Sequence, residues 1–205
     1  MKKRLSACGL IVAWVLGPVS AGLGAEGGGD WTLHSALTLA PVGVQASSFG
    51  TVGTTWMSVG AGVATILDDV TDVNLYGRVS KFLAQDFEVG FELGAWYFSQ
   101  PGDDAGGINP NLLLRYHFWN EGPWTLFADA GIGLLFSSDN VPAGGTSANF
   151  TPRVGIGFTR ELTSDGVRLE AGLRWHHISN ARILGDDDNP ARDLPLLYVG
   201  VTFPF

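Results

Sequence analysis

His177 and Ser179 stand two residues apart in the stretch Arg174-Trp-His-His-Ile-Ser-Asn-Ala181. On an extended strand, residues i and i+2 project from the same face, so the imidazole and the hydroxyl become neighbours. A serine hydroxyl is a poor nucleophile until a base takes its proton; histidine is the usual base, and a third group, commonly a carboxylate, orients the ring. The chemistry on offer is acyl transfer through a serine ester. A His-x-Ser spacing is also short enough to recur by chance as a polar pair at a strand end. Parity separates the two readings. Val167, Leu169, Ala171, Leu173 and Trp175 share the odd-numbered face with His177 and Ser179, while Arg168, Glu170, Gly172 and Arg174 occupy the other. A polar pair on an otherwise apolar face is expensive if that face meets lipid, unless it lies near the interface or does work.

The elements that would carry this pair are strands. Eight stretches show extended patterning: roughly Thr54–Leu67, Val70–Leu83, Asp86–Ser99, Ile108–Trp119, Pro123–Ser137, Ala148–Leu162, Gly166–Asn180 and Asp193–Phe205. In the third, Phe87, Val89, Phe91, Leu93, Ala95 and Tyr97 alternate with Glu88, Gly90, Glu92 and Gly94; in the sixth, Val154, Ile156 and Phe158 alternate with Arg153, Gly155, Gly157 and Thr159. Turn-rich segments such as Gln100–Gly107 separate them. A tilted strand of about 9–11 residues crosses the hydrocarbon core, so these are long enough to span it. An even strand number, one apolar face and a terminal aromatic residue predict an all-β fold, an eight-stranded antiparallel outer-membrane β-barrel. Such a barrel is filled by side chains rather than open as a pore. Arg78, Glu88, Glu92, Arg115, Asp129, Arg153, Arg168, Glu170 and Arg174, mixed in sign and interleaved with glycine, are the expected filling and are expected to pair with one another. The competing architecture is a soluble β-sandwich or lipocalin-like barrel whose apolar face points inward. The alternation of glycine with mixed-sign charge, the aromatic end and an export signal favour the membrane barrel.

That signal is Lys2, Lys3 and Arg4 followed by the apolar run Gly9–Val19, with cleavage expected after Ala21 or Ala25, so that residues 1–25 form a signal peptide. Cys8 precedes the apolar run, which argues against a lipoprotein anchor. Without these residues the chain has nine basic against 20 acidic side chains, a net charge of −11. Residues 26–53 form a Gly/Ser/Ala-rich extension with a short alternating piece, Trp31–Leu39, whose structure the pattern leaves open; residues 54–205 form the barrel domain. No later stretch reaches 18 consecutive apolar residues, so a transmembrane helix is not predicted. Twelve Lys and Arg against 20 Asp and Glu disfavour nucleic acid as a partner, and a single Cys disfavours a disulfide scaffold or a cysteine-rich zinc domain.

Depth is consistent with this reading. From Val167 to Ser179 a strand runs about 40 Å, and at a tilt near 45° it rises about 28 Å, close to the far edge of a core about 30 Å thick. Barrels of this kind turn tightly on the periplasmic side and loop outward on the other. The 180–192 loop is therefore expected outside, and the pair near the outer leaflet, where lipopolysaccharide resides in Gram-negative bacteria.

The stretch His176-His-Ile-Ser-Asn-Ala181, the following Asp188-Asn189-Pro190 and the terminal Phe203-Pro-Phe205 resemble the lipid A 3-O-deacylase (PagL) family. Phe127–Gly133 and Ala148–Gly155 resemble its middle strands, and the likeness extends over about residues 54–205. The resemblance implies an eight-stranded outer-membrane barrel that hydrolyses the ester-linked acyl chain at the 3-position of lipid A, with lipopolysaccharide as substrate and no metal or cofactor. It places the nucleophile on Ser179, the base on His177 and an oxyanion-stabilising Asn on Asn180. The family's acid is normally a Glu near the start of the last strand. Here the equivalent is Asp193, four residues after Asn189, odd-numbered like Leu197, Val199 and Val201, in a loop one residue longer. Asp186, Asp187 and Asp188 are rivals that read better as solvated surface or a divalent-cation contact. Arg182 stands where the family usually has Gly, which would alter the loop or place a cation near a lipid A phosphate. A homodimer stays open. The alternatives are a non-catalytic structural barrel and an outer-membrane phospholipid hydrolase. Among other residues, His176 has inward parity and is expected to be structural or to bond interior acids, His34 and His117 are expected to be structural, and Trp96, Trp119, Trp124 and Trp175 to form interface girdles or interior packing.

Overall fold

The computed structural model describes residues 49–66, 70–183 and 189–205. The expected signal peptide over residues 1–25, residues 26–48 with Trp31–Leu39 and His34, and Asp186–Asp188 lie outside the described residues. The strands are β1 (Thr55–Ile66), β2 (Val70–Ala84), β3 (Phe87–Ser99), β4 (Ala105–Glu121), β5 (Trp124–Ser137), β6 (Ala148–Phe150), β7 (Arg153–Glu161), β8 (Arg168–Ile178) and β9 (Arg192–Pro204). β6 and β7 are two halves of the predicted sixth strand, parted at Thr151-Pro152. Each strand pairs antiparallel with its neighbour. The sheet closes where β1 meets β9, from Trp56↔Pro204 to Ala64↔Leu196, so the result is an eight-stranded barrel. Strand four runs longer than its pattern suggested, from Ala105, because Gly106, Gly107 and Pro110 break the apolar alternation without breaking the pairing to β3.

The faces sort as the alternation predicts. Phe91, Leu93 and Tyr97 of β3 are exposed, and Glu88, Glu92, Trp96 and Phe98 between them are buried. Trp119, Trp124 and Trp175 lie on the outer wall, while Trp96 is interior. Two glycines explain the small residues of the inner face. The Tyr76 hydroxyl fills the space that a Cβ on Gly60 or Gly200 would need.

The lumen is built on a balanced charge lattice of four carboxylates and four guanidiniums, all buried. Glu170 accepts from the Tyr76 hydroxyl at 2.7 Å, from Arg78 and from Arg115 Nη1 at 2.9 Å. Asp129 accepts from Arg115 Nη2 at 3.1 Å and Arg174 Nη2 at 2.8 Å. Glu92 pairs with Arg153 Nη1 at 2.7 Å and Glu88 with Arg115 Nη1 at 3.3 Å. The Arg115 guanidinium also lies 3.8 Å over the Phe127 ring, and Arg174 4.2 Å over Tyr198. His117 is structural here, its Nδ1 3.0 Å from the Thr125 hydroxyl and its ring edge-on to Phe49.

Phe49, the first residue described, belongs to the extension yet packs inside one end of the barrel, against Trp56, Phe82 and His117 and beneath the Arg168 guanidinium at 4.3 Å. At this end the connections are short: Gln85-Asp86, Gly122-Pro123 and residues 162–167. At the opposite end they are residues 67–69, 100–104, 138–147 and 179–191, the last two long.

Removing one member of a buried ion lattice leaves its partners charged and unpaired, which costs about 3–5 kcal/mol. Glu170→Ala is therefore expected to lower the unfolding free energy by about that amount, and Glu170→Gln by less, read as the urea midpoint of tryptophan fluorescence in lipid vesicles.

Candidate active site

β8 rises to Ile178, and the chain continues extended through Ser179, which forms a two-bond bridge with Phe150 at the end of β6. The Ser179 N–H donates to the Phe150 carbonyl at 3.1 Å, and the Phe150 N–H donates to the Ser179 carbonyl at 2.7 Å. The interruption at Thr151-Pro152 makes this bridge. Proline has no N–H to continue a ladder. The Thr151 N–H instead bonds Gly133 at 2.9 Å, and the Pro152 carbonyl accepts the His177 N–H at 3.1 Å. The backbone on both sides of the nucleophile candidate is thus held from the neighbouring strand.

β9 supplies the third group. Asp193 is the direct cross-strand partner of His177. His177 Nδ1 lies 2.8 Å from Asp193 Oδ1, and His177 Nε2 lies 2.8 Å from Ser179 Oγ. With Asp193 ionised, the Nδ1–H donates to the carboxylate, and Nε2 keeps a lone pair for the hydroxyl proton of Ser179. All three side chains lie on the outer wall. Ser179 is 7% exposed and recessed, while the Asp193 side chain is 53% exposed. On one side of the group an apolar hollow is lined by Leu173, Trp175 and Pro195; on the other, Leu134, Phe136, Phe150 and Ile183 line a second beside Asn180. A hydroxyl, an imidazole and a carboxylate in series, set in an apolar surface, can carry out acyl transfer from a lipid ester.

Asn180 follows the nucleophile candidate, and its environment narrows its expected role. Its backbone N–H donates to Asn189 Oδ1 at 2.8 Å, and its own Oδ1 accepts the Arg182 N–H at 2.8 Å. The N–H groups of Ser179 and Asn180 are therefore both engaged within the protein. Asn189 is a site residue that sequence reasoning used only as a counting mark; its signal was the Asn-Pro pair, a common turn opener. Arg182, in place of the family's Gly, keeps the backbone that a Gly would take: φ is +61° there and +55° at Ala181. Two consecutive non-Gly residues in the left-handed region are strained, by about 1–2 kcal/mol each.

His176 faces inward as expected, but its ring bonds no interior acid. It stacks on Trp96, centroids 4.7 Å apart and planes 6° apart, with Trp96 stacked in turn on Phe98. The acids that parity placed on the same face are taken by arginines, whose longer side chains reach them first.

The family profile described as "Lipid A 3-O-deacylase (PagL)" matches residues 71–202. No curated protein sequence matches the chain. Among solved structures, Neisserial surface protein A aligns at 17% identity with a TM-score of 0.55, over 74% of this chain and 97% of that one. The outer membrane enzyme PagL aligns at 20% identity with a TM-score of 0.54, over 72% and 99%. The N-terminal β-barrel domain of Pseudomonas aeruginosa OprF aligns at 18% identity with a TM-score of 0.51, over 75% and 99%. At these identities the likeness is one of fold.

The left-handed strain shared by Ala181 gives a stability test. Ala181→Gly removes the penalty and deletes only a methyl group, so it is expected to raise the unfolding free energy by about 1 kcal/mol, whereas the β-branched Ala181→Val is expected to lower it. Urea midpoints of the two variants in the same vesicles check the sign.

Proposed function

The chain belongs to the lipid A 3-O-deacylase (PagL) family, and from that premise we propose that it is an outer-membrane serine esterase that removes the 3-O-linked acyl chain of lipid A. The reading rests on one observation: the 2.8 Å and 2.8 Å contacts that put His177 between Ser179 and Asp193 on the outer wall. A membrane lipid reaches that wall by lateral diffusion, with its acyl chains already in the apolar layer. The two longest connections, 138–147 and 179–191, lie at the site's end, which supports a site facing the outer leaflet. Export by a signal peptide over residues 1–25 belongs to the same proposal.

In the proposed mechanism His177 Nε2 takes the proton of Ser179 Oγ as that oxygen attacks the ester carbonyl of the 3-O-acyl chain. Asp193 holds the ring in the tautomer that leaves Nε2 basic and stabilises the imidazolium that forms. The tetrahedral oxyanion is met by the Asn180 carboxamide, whose rotamer is set by the Arg182 N–H. Collapse breaks the bond to the sugar oxygen, which takes the proton from Nε2 and leaves as the 3-hydroxyl. Water, deprotonated by His177, attacks the acyl-serine; the fatty acid departs and Ser179 recovers its proton. The surroundings keep bulk water sparse, which strengthens each of these electrostatic contacts.

Mass spectrometry of lipid A from cells expressing the protein tests the reading. Wild type is expected to remove one hydroxyacyl chain and Ser179→Ala none. His177→Asn is expected to lose about 10³-fold or more, Asp193→Asn about 10²- to 10⁴-fold, and Asn180→Ala about 10²- to 10³-fold in rate. An unchanged spectrum in a host whose lipid A carries that chain would overturn the deacylase; release of fatty acid from phospholipid instead would make the protein a phospholipid hydrolase.

A further inference from the structure

Asp193 sits at the weakest point of its strand. Among the described residues, β9 pairs with β1 only as far as Leu196, opposite Ala64; Pro195 and Leu194 take no partner from Thr65 or Ile66, so the described strand that holds this end is β8. A strand end paired on one side frays readily. Yet the proposed catalysis needs the Asp193 carboxylate held on His177 Nδ1 through every turnover. The neighbouring residue provides a second attachment. Arg192 points into the barrel mouth and is buried, as opposite parity to Asp193 requires. Its Nη1 donates to Asp72 Oδ1 of β2 at 2.7 Å, and its Nη2 donates to Gln100 Oε1, just past β3, at 2.6 Å. It thereby reaches over β1, the strand that fails to pair with this part of β9. Gln100 is tied in turn, its amide donating to the carbonyls of Asp103 at 3.0 Å and Asn140 at 2.8 Å. Beneath this clamp lies the apolar cap formed by Phe98, Ile178 and Leu194, so the guanidinium is fixed from below as well.

We propose that Arg192 is a positioning residue for the acid of the site: its forked bond to Asp72 and Gln100 fastens the end of β9 beyond its last described pair with β1 and holds Asp193 in register with His177. The proposal rests on the deacylase reading for its consequence in rate, but its geometric content can be measured independently. Arg192 touches neither substrate nor the reacting atoms. Its effect is transmitted through one peptide unit, because a residue fixed inward on a strand fixes the next one outward.

The test uses the full chain refolded in detergent micelles. Arg192→Met combined with Asp72→Asn removes both charges of the pair and orphans neither, so the barrel is expected to keep its folded mobility on unheated gels. This double variant is expected to lose about tenfold or more in kcat for lipid A deacylation with KM unchanged, since displacement of a catalytic group by a fraction of a bond length carries such a loss. The downfield proton resonance of the His177 Nδ1–H, present in wild type and absent in Asp193→Asn, is expected to broaden away. Arg192→Lys, which keeps the Asp72 pair and loses the fork, is expected to fall between. Unchanged kcat and an intact resonance in the double variant would overturn the proposal. If wild type releases no acyl chain, the deacylase reading falls while the resonance still decides the positioning role. Should the double variant fail to fold, Gln100→Leu makes the same comparison: lower kcat with a weakened resonance supports the clamp, and no change overturns it.

Discussion

Hydrocarbon offers no partner to a backbone N–H or C=O, so a chain that crosses it as strands must satisfy every such group within itself. Closure of β1 on β9 meets that demand, and much else in this protein follows from it. A closed wall of eight strands is one residue thick, so every residue faces either lipid or lumen and its parity decides which. Its lumen is too narrow to be a channel and too enclosed to hydrate side chains well. What fills it must be small, as Gly60 and Gly200 are beneath Tyr76, or mutually neutralised, as the four acids and four arginines are. The charge lattice is thus a consequence of closure. Its bonds run across the lumen between strands far apart in sequence, and so stiffen the wall from within.

A stiff wall can carry a reactive site on its outer side. The three groups of the site come from adjacent strands and need only correct register to meet: His177 and Ser179 by their spacing of two on one strand, Asp193 by standing opposite His177 on the next. A one-residue slip of β9 would turn Asp193 into the lumen and bring Arg192 to the outer wall. Register at the loop end therefore matters more here than in an ordinary barrel, and the supports of the site lie behind the wall: the Thr151-Pro152 break that bridges Phe150 to Ser179, the Arg192 clamp, and the Trp96–His176 stack. For a lipid substrate the placement is economical. On the proposed function the ester need not leave the bilayer to reach Ser179, and the apolar hollows on either side of the candidate site continue the environment of the acyl chains.

Parity along the strands was enough to assign the faces, because in a wall one residue thick alternation translates directly into inside and outside. It placed His177, Ser179 and Asp193 together on one face and the charged residues on the other. Whether the apolar face looked inward or outward was not contained in periodicity alone; the interleaving of glycine with charges of both signs, the aromatic end and the export signal carried that choice. Sequence was blind wherever the outcome depended on which of several reachable partners a group would take. His176 had the parity to meet an acid, but the arginines reach the acids and leave the ring to stack on Trp96. Nothing in the local spacing shows that the Asn180 N–H is drawn to Asn189 across the loop.

What the sequence by itself determined is therefore the strands, which residues of each share a face, and the candidate nucleophile and base, since these follow from local spacing in a chain of period two; the candidate acid came from the family resemblance. What only the tertiary structure decided is the closeness of the contacts and the supports behind them: the 2.8 Å spacing at both nitrogens of His177, the left-handed turn imposed on Ala181 and Arg182, and the reach of Arg192 to Asp72 and Gln100. These join residues up to 120 positions apart. They depend on the register and curvature of the closed sheet, quantities set by the whole circuit of strands and recorded in no single stretch of the chain.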